Sequence, residues 1–213
     1  HRAARVAAAV SDDGAAEGPT PARRRIAILI SGRGSNMAAI LRNAQEGDLG
    51  RVCEVALVFA NDPQAQGLAI ARERGVPTAC LISRGRDRRE FDRDLVDLLE
   101  PYHLDYLVLA GYMRLLSPAV IDRYRNRIVN IHPADSRAYQ GINGYQWAFE
   151  QGLPKTVVTV HLVDEGIDTG PILAQAEVDL RGAGSLSEVE RRGLAVEHRF
   201  YSAVLADLFT GSI

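Results

Sequence analysis

The chain has 213 residues, of which 46% are hydrophobic and 24% are charged, and its 25 Lys and Arg against 27 Asp and Glu give a formal net charge of −2. This composition is typical of a soluble globular protein with one domain, and the charge balance indicates no overall attraction to nucleic acid or to an anionic membrane. No stretch approaches the roughly 18 uncharged apolar residues of a membrane-spanning helix, so a helical membrane protein is excluded.

Residues 1–24 differ in composition from the rest of the chain. They contain no Leu, Ile or Phe and are rich in Ala, Arg, Gly, Asp and Pro, which predicts a disordered tail or a non-native remnant. A transit peptide is the alternative suggested by the arginines and alanines, but three acidic residues argue against it. We expect one folded domain over residues 25–213.

From Arg25 onward, apolar runs alternate with amphipathic segments. The runs predict strands at 26–30, 52–60, 78–82, 106–110, 127–131 and 156–163, and the amphipathic segments predict helices at 37–45, 64–74, 87–100 and 118–124. Fully apolar strands that alternate with helices predict a doubly wound α/β fold with a mostly parallel, Rossmann-like sheet. The alternation then stops, and residues 171–180 are predicted as an antiparallel edge strand before a long closing helix at 186–209.

The first strand ends in a glycine-rich loop, Ser31-Gly32-Arg33-Gly34-Ser35-Asn36. In a sheet of this kind, ligands bind beyond the carboxyl ends of the strands, and the helix that follows the loop offers free N–H groups to an anion. Met37 stands where a dinucleotide fingerprint needs a third glycine, and no Gly-Lys-Ser/Thr follows as in a Walker loop. The loop is therefore either a phosphate cradle for a small ligand or a structural turn.

Polar residues also end the fifth strand, in the sequence Asn130-Ile131-His132-Pro133. A single histidine there is more often a hydrogen-bonded core residue, but Asn, His and a strand-ending Pro together favour a catalytic site. Farther on, residues 164–171 form an acidic loop bounded by glycines. This loop is either a solvated turn or a segment that places Asp168 opposite His132, where the carboxylate sets the protonation and orientation of the imidazole. The spacing of its acidic residues does not fit an EF-hand calcium loop.

Two further segments are rich in arginine or aromatic residues. The arginines at 84–89 alternate with acidic residues, a pattern typical of a solvated, mixed-charge helix face. Residues 111–114, Gly-Tyr-Met-Arg, end the fourth strand and suit an acidic, partly aromatic ligand.

Four other residues are expected to be structural. Trp147 and Phe149 have helical spacing and are predicted to be core residues. Cys53 and Cys80 are isolated from each other in sequence, which predicts buried small hydrophobic residues in a reducing cytoplasm rather than a disulfide or a zinc site.

Together, the segments at 31–36, 110–118, 130–133 and 161–171 resemble the phosphoribosylglycinamide formyltransferases. The resemblance covers about residues 25–210, and the separation of 38 positions between Asn130 and Asp168 agrees with the family. It implies the formyltransferase fold and transfer of a formyl group from 10-formyltetrahydrofolate, a co-substrate, to the amine of glycinamide ribonucleotide in purine biosynthesis. It further implies a cytoplasmic monomer or homodimer with small-molecule substrates, no metal, and neither nucleic acid nor membrane as a partner.

The resemblance assigns roles to individual positions. It implies that Asn130, His132 and Asp168 are catalytic, that Gly34, Ser35 and Asn36 hold the substrate phosphate, and that Glu197 contacts the ribose hydroxyls. It implies that folate binds at Arg88, Tyr112, Met113, Arg114, Leu116 and Asp164. The chain departs from the family after Pro133, where Ala-Asp-Ser-Arg replaces the usual Ser-Leu-Leu-Pro, and again at 140–144, where a Pro and a His are replaced.

Formyl transfer to an amine passes through a tetrahedral intermediate with a negatively charged oxygen. Asn130 and a protonated His132 are expected to donate hydrogen bonds to that oxygen, while Asp168 stabilises the imidazolium and receives the amine proton through a water. A non-catalytic relative that only binds folate or a ribonucleotide, and a formyltetrahydrofolate hydrolase, are the alternatives. A serine hydrolase is disfavoured because the Gly-x-Ser-x-Gly elbow is missing.

Overall fold

The computed structural model describes residues 22–213, so residues 1–21, most of the expected tail, lie outside the described residues. In this part of the chain, strands occupy Arg24–Ile30 (β1), Cys53–Ala60 (β2), Thr78–Cys80 (β3), Tyr106–Leu109 (β4), Ile128–His132 (β5), Lys155–Leu162 (β6) and Ile172–Asp179 (β7). Helices occupy Ser35–Glu46 (α1), Gly67–Glu73 (α2), Arg88–Leu99 (α3), Pro118–Arg123 (α4), Gly144–Glu150 (α5) and Leu186–Thr210 (α6), with short 3₁₀ turns at Asp48–Arg51 and Glu100–Tyr102.

The strands form one sheet in the order β3-β2-β1-β4-β5-β6-β7. Strands β1 to β5 pair in parallel, whereas β6 runs antiparallel to β5 and β7 antiparallel to β6. The predicted doubly wound α/β fold with an antiparallel edge is therefore confirmed, and that edge consists of two strands. The carboxyl ends of β1 and β4 lie side by side at the point where the strand order reverses, which is where ligands of such sheets bind.

The two faces of the sheet carry separate hydrophobic cores, because successive side chains of a strand point to opposite faces. Ile26, Ile28 and Ile30 of β1 belong to a core with residues of α1, α2 and α6, whereas Ala27 and Leu29 belong to a core with α3 and α4. All five side chains are fully buried. A strand buried on both faces has no polar side, which explains the continuous apolar runs in the sequence.

The hydroxyl of Tyr201 ties the long helix α6 to the centre of the sheet. Tyr201 is fully buried, and its hydroxyl lies 2.8 Å from the carbonyl oxygen of Leu109 and 3.1 Å from that of Val129. These carbonyls belong to β4 and β5, so one side chain fixes α6 against the strands that carry the site loops. None of the helices within residues 22–213 is both long and apolar enough to span a membrane.

The structure corrects two expectations about the core. Helix α5 buries Tyr145 and Ala148, whereas Phe149 is 38% exposed because the next residue of a helix lies about 100° around its axis. Cys80 is only partly buried because it ends β3, a short strand at the edge of the sheet. Cys53 is buried, and both thiols are free.

Candidate active site

The antiparallel pairing of β5 and β6 brings a second histidine to the predicted catalytic residues. Asn130 lies opposite His161, and the Asn130 Nδ2 atom is 3.4 Å from His161 Nε2. His132 lies on the same strand as Asn130, two residues farther on, and both imidazoles are 2% exposed. The end of β5 is therefore a buried polar cluster within an apolar sheet.

Asp168 joins this cluster from the loop between β6 and β7. Its carboxylate lies 3.4 Å from His132 Nδ1 through one oxygen and 3.6 Å from His161 Nε2 through the other. The Gly141 N–H donates to the same carboxylate at 2.8 Å. The backbone of Asp168 is left-handed, with φ 52°, a conformation that a non-glycine residue keeps only where its surroundings hold it in place.

The surroundings of Asp168 keep its carboxylate charged. Burial raises the pKa of Asp168, but the interactions with His161 and the Gly141 N–H, together with the charges of both histidines, outweigh burial and leave the pKa below its usual value. A negative charge therefore faces two imidazoles in the cluster.

The two nitrogens of His132 have different surroundings. Its Nε2 lies 2.7 Å from the carbonyl oxygen of Tyr139, and because a carbonyl only accepts hydrogen bonds, Nε2 carries a proton and donates it. Its Nδ1 faces Asp168 at 3.4 Å, longer than an ordinary hydrogen bond. The short contact orients the ring, and Nδ1 is the nitrogen left to act on a ligand.

Residues 134–143 form a loop whose sequence differs from the one usual in the family, and this loop contacts the cluster through backbone atoms. Tyr139 supplies the carbonyl for His132, and Gly141 supplies the N–H for Asp168. The ring of Tyr139 stacks on Trp147 with centroids 5.0 Å apart, and its hydroxyl donates to the Ile142 carbonyl. The stack of Tyr139 on Trp147 thus holds a loop whose backbone contacts both His132 and Asp168.

The glycine-rich loop leads directly into α1, a helix of 12 residues. Gly34 is left-handed, with φ 74°, and a Cβ added there would lie 2.9 Å from the Cα of Gly67. Only glycine fits this turn, which brings α2 against the start of α1. Ser35 is exposed, and the first N–H groups of α1 have no partner within the helix, as anion binding at a helix N-terminus requires.

Asn36 and Glu197 lie behind this loop and are hydrogen-bonded to each other. Asn36 Nδ2 donates to one oxygen of Glu197 at 3.0 Å, and the Tyr145 hydroxyl donates to the other. Glu197 is 5% exposed, and burial raises its pKa although both hydrogen bonds oppose the rise. Each oxygen of the residue expected to contact ribose therefore accepts one hydrogen bond from the protein itself and keeps a further lone pair.

The predicted folate residues lie around the loop after β4. Arg114 points inward: its guanidinium donates to the carbonyls of Ser83 and Arg86 at 2.9 Å each and lies 4.8 Å from the centre of the Phe91 ring. Met113 points outward and is 68% exposed. Arg114 thus braces the loop, and Met113 is open to a ligand.

The remaining predicted folate residues fall into three environments. Arg88 is exposed at the start of α3, and Tyr112 and Leu116 pack partly against the core beneath the loop. Asp164 accepts hydrogen bonds from Gly166 N at 2.9 Å and from Thr169 Oγ1 at 2.7 Å, which shapes its own loop. The exposed apolar side chains of Met113, Leu115 and Ile167 belong to these two loops.

Comparison with known proteins decides the family. The sequence profile described as formyl transferase matches residues 24–205. This chain belongs to the formyl transferase family. The phosphoribosylglycinamide formyltransferase of Escherichia coli (strain K12) is 37% identical over 182 residues, which cover 85% of this chain and 85% of that protein. That of Bacillus subtilis (strain 168) is 32% identical over 186 residues, covering 87% and 94%.

Solved structures agree with this family assignment. The crystal structure of phosphoribosylglycinamide formyltransferase from Bacillus halodurans superposes with a TM-score of 0.83 at 37% identity, covering 89% of this chain and 97% of that chain. The glycinamide ribonucleotide transformylase 1 from Symbiobacterium toebii gives a TM-score of 0.83 at 37% identity, covering 89% of each chain. The resemblance drawn from the sequence is therefore confirmed.

Sequence reasoning missed several contacts of this formyl transferase. His161 was part of the motif that carries the resemblance, but its contact with Asp168 depends on the antiparallel turn of β6. Tyr139 and Gly141 act through backbone atoms, which leave no signal in side-chain patterns. Within residues 22–213, no group of three or more His, Cys, Asp or Glu side chains is arranged to hold a metal ion.

Proposed function

We propose that this formyl transferase moves the formyl group of 10-formyltetrahydrofolate to the amine of glycinamide ribonucleotide. The observation that carries the proposal is the cluster of Asn130, His132 and Asp168 beyond β5, in a chain whose relatives are named for this reaction. The cluster combines an amide donor, an imidazole and a carboxylate that is charged at neutral pH.

Oxyanion stabilisation is the main task of this site. An α-amino group has a pKa of about 8, so much of the substrate amine is already nucleophilic near neutral pH and a strong base is unnecessary. Attack on the formyl carbon places negative charge on the formyl oxygen. Asn130 Nδ2 and a proton on His132 Nδ1 are the two donors that this oxygen meets, and preformed donors of this kind commonly contribute 100- to 1,000-fold to the rate.

Asp168 serves the same step through its charge. It stabilises the imidazolium of His132 and accepts the proton that the amine loses, directly or through a water. Collapse of the tetrahedral intermediate then breaks the bond between the formyl carbon and the folate nitrogen, and tetrahydrofolate leaves with that proton on its nitrogen. The Tyr139 carbonyl fixes the imidazole ring, so the proton on Nδ1 points toward the cluster throughout the reaction.

We assign the ribonucleotide to one side of this cluster and the folate to the other. The phosphate of the ribonucleotide binds the N–H groups of Gly34, Ser35 and Asn36 at the start of α1. The folate lies against the exposed apolar side chains of the loops after β4 and β6, with Arg88 available to its glutamate carboxylates. We place the reaction in the cytoplasm, in a monomer or homodimer.

One absorbance assay separates the candidate activities. Purified protein is mixed with 10-formyltetrahydrofolate and either glycinamide ribonucleotide or no acceptor, and loss of the formyl group is followed by absorbance. Consumption that depends on the ribonucleotide supports the proposal. Equal consumption in water alone identifies a hydrolase, and no consumption with either mixture identifies a protein that only binds.

A further inference from the structure

The loops that follow β1, β2, β3 and β4 are joined by a closed ring of hydrogen bonds. The Ser31 hydroxyl donates to Asn61 Oδ1 at 2.6 Å, and Asn61 Nδ2 donates to Ser83 Oγ at 2.9 Å. The Arg114 guanidinium donates to the Ser83 carbonyl at 2.9 Å. The N–H of Met113, the neighbour of Arg114, donates back to the Ser31 hydroxyl at 2.8 Å. The positions of these four loops therefore depend on one another.

Ser31 is the residue at which the two proposed substrate loops meet. It begins the glycine-rich loop that is proposed to hold the phosphate, and its N–H donates to the Gly111 carbonyl at 3.1 Å. Gly111 is left-handed, with φ 72°, and the chain then turns so that Met113 N reaches the Ser31 hydroxyl. Both ends of residues 111–113, in the loop proposed to bind folate, are thus hydrogen-bonded to one residue of the phosphate loop.

Two side chains close this ring, and each of them uses both a donor and an acceptor. The Ser31 hydroxyl donates to Asn61 and accepts from Met113. The Asn61 amide accepts through its oxygen and donates through its nitrogen to Ser83. An alanine at either position leaves donors and acceptors of the neighbouring loops without these partners. The ring therefore opens when either side chain is removed.

We infer that Ser31 and Asn61 are positioning residues that couple the two substrate sites. Each substrate binds the arrangement in which its own loop is ordered. Because the same ring orders both loops, the first substrate to bind supplies the free energy of ordering for the second. Each substrate therefore raises the affinity for the other. This inference rests on the proposed function for the identity of the two substrates, and it adds how their binding is linked.

Calorimetry with two ligands that cannot react together measures this coupling. Tetrahydrofolate lacks the formyl group, so it binds beside glycinamide ribonucleotide without turnover. The Kd of the ribonucleotide is measured with and without saturating tetrahydrofolate, and the reverse titration gives the same ratio because coupling is reciprocal. We expect the ratio of the two Kd values to be about fivefold or more for wild-type protein and within about twofold of unity for Ser31→Ala.

Three further variants separate coupling from a loss of stability. Ser31→Thr retains the hydroxyl, and a cavity of about 470 Å³ beside Ser31 has room for the added methyl group, so this variant should keep the coupling. Asn61→Ala opens the ring at another residue and should lose it. Ser202→Ala is the matched control, because Ser202 on α6 is 6% exposed and accepts a hydrogen bond from Asn43 at 2.9 Å. It should lose stability in urea as Ser31→Ala does and keep the wild-type ratio.

Two results would overturn the inference. One is wild-type protein that binds the two ligands independently, and the other is wild-type coupling in folded Ser31→Ala or Asn61→Ala protein. Formyl transfer by a wild-type protein without coupling would leave the proposed function intact. Coupled binding without formyl transfer would instead refute the proposed function and leave the link between the two loops in place. Failure to bind either ligand would overturn both.

Discussion

Replacement of Asp168 by Asn gives the sharpest test of the proposed catalytic cluster. The substitution keeps an oxygen that can accept from the Gly141 N–H, but it removes the charge that faces His132 at 3.4 Å and His161 at 3.6 Å. We expect the folded structure to persist and the chemical step to slow, because the imidazolium loses its counter-charge as negative charge develops on the formyl oxygen.

The geometry sets the size of the effect. At 3.4 Å and an effective dielectric constant of about 20, a carboxylate and an imidazolium attract each other by about 5 kcal/mol. Part of this attraction is already present before the reaction, and the dipole of the Asn amide replaces another part. If about half is lost in the transition state, kcat falls by about 100-fold, since each 1.36 kcal/mol corresponds to about tenfold in rate.

The assay follows formyl transfer at saturating concentrations of both substrates. Asp48→Asn is the control, because Asp48 is an exposed carboxylate that pairs with Arg51 in the 3₁₀ turn before β2, at the amino end of that strand, whereas the cluster lies at the carboxyl end of β5. Circular dichroism and thermal unfolding establish that both variants are folded. A folded Asp168→Asn protein that keeps kcat within tenfold of wild type would refute the role given to this charge.

Three further predictions concern loop anchors and pH. Asp92→Ala removes the buried carboxylate that accepts from Ser117 N at 2.6 Å; urea unfolding should show a loss of about 1.5–3 kcal/mol, and KM for folate should rise more than KM for the ribonucleotide. Gly34→Ala forces a Cβ onto a left-handed residue; KM for the ribonucleotide should rise at least tenfold, and an unchanged value would contradict the phosphate assignment. Folding lowers the pKa of Asp168, so the charged carboxylate stabilises the folded protein at pH values above its unfolded pKa of about 3.9. This stabilisation disappears as the pH falls through the pKa of the folded state. The Tm of wild type should therefore fall more than that of Asp168→Asn between about pH 5 and 3.

The parallel half of the fold was predictable because its signals are local. An apolar run marks each strand from β1 to β5, although Asn130 and His132 interrupt that of β5, and the helices between them show amphipathic spacing. Helix α5 gave a weaker signal. It begins at Gly144 after Asn143, which is left-handed with φ 64°, and no side chain caps it. Its position comes instead from packing of Tyr145 and Ala148 against α6 and β6.

The sequence predicts only those residues of the candidate site whose side chains form a recognisable pattern. Asn130, His132 and Asp168 stand out as polar residues at strand and loop ends. The contact of His161 with Asn130 depends on pairing between strands, which sequence spacing does not specify. The hydrogen bonds from the Arg114 guanidinium to the carbonyls of Ser83 and Arg86 could not be read from the sequence. Whether a guanidinium binds a ligand or a backbone carbonyl depends on which acceptors the folded chain places beside it.

The stack of Tyr139 on Trp147 makes the site optically observable. Trp147 is the only tryptophan of the chain, and the residue it stacks on supplies the carbonyl that orients His132. A movement of the loop that separates the Tyr139 ring from the indole should change the tryptophan emission. Intrinsic fluorescence therefore offers a way to follow the loop that orients His132 during substrate binding, without a label and without turnover.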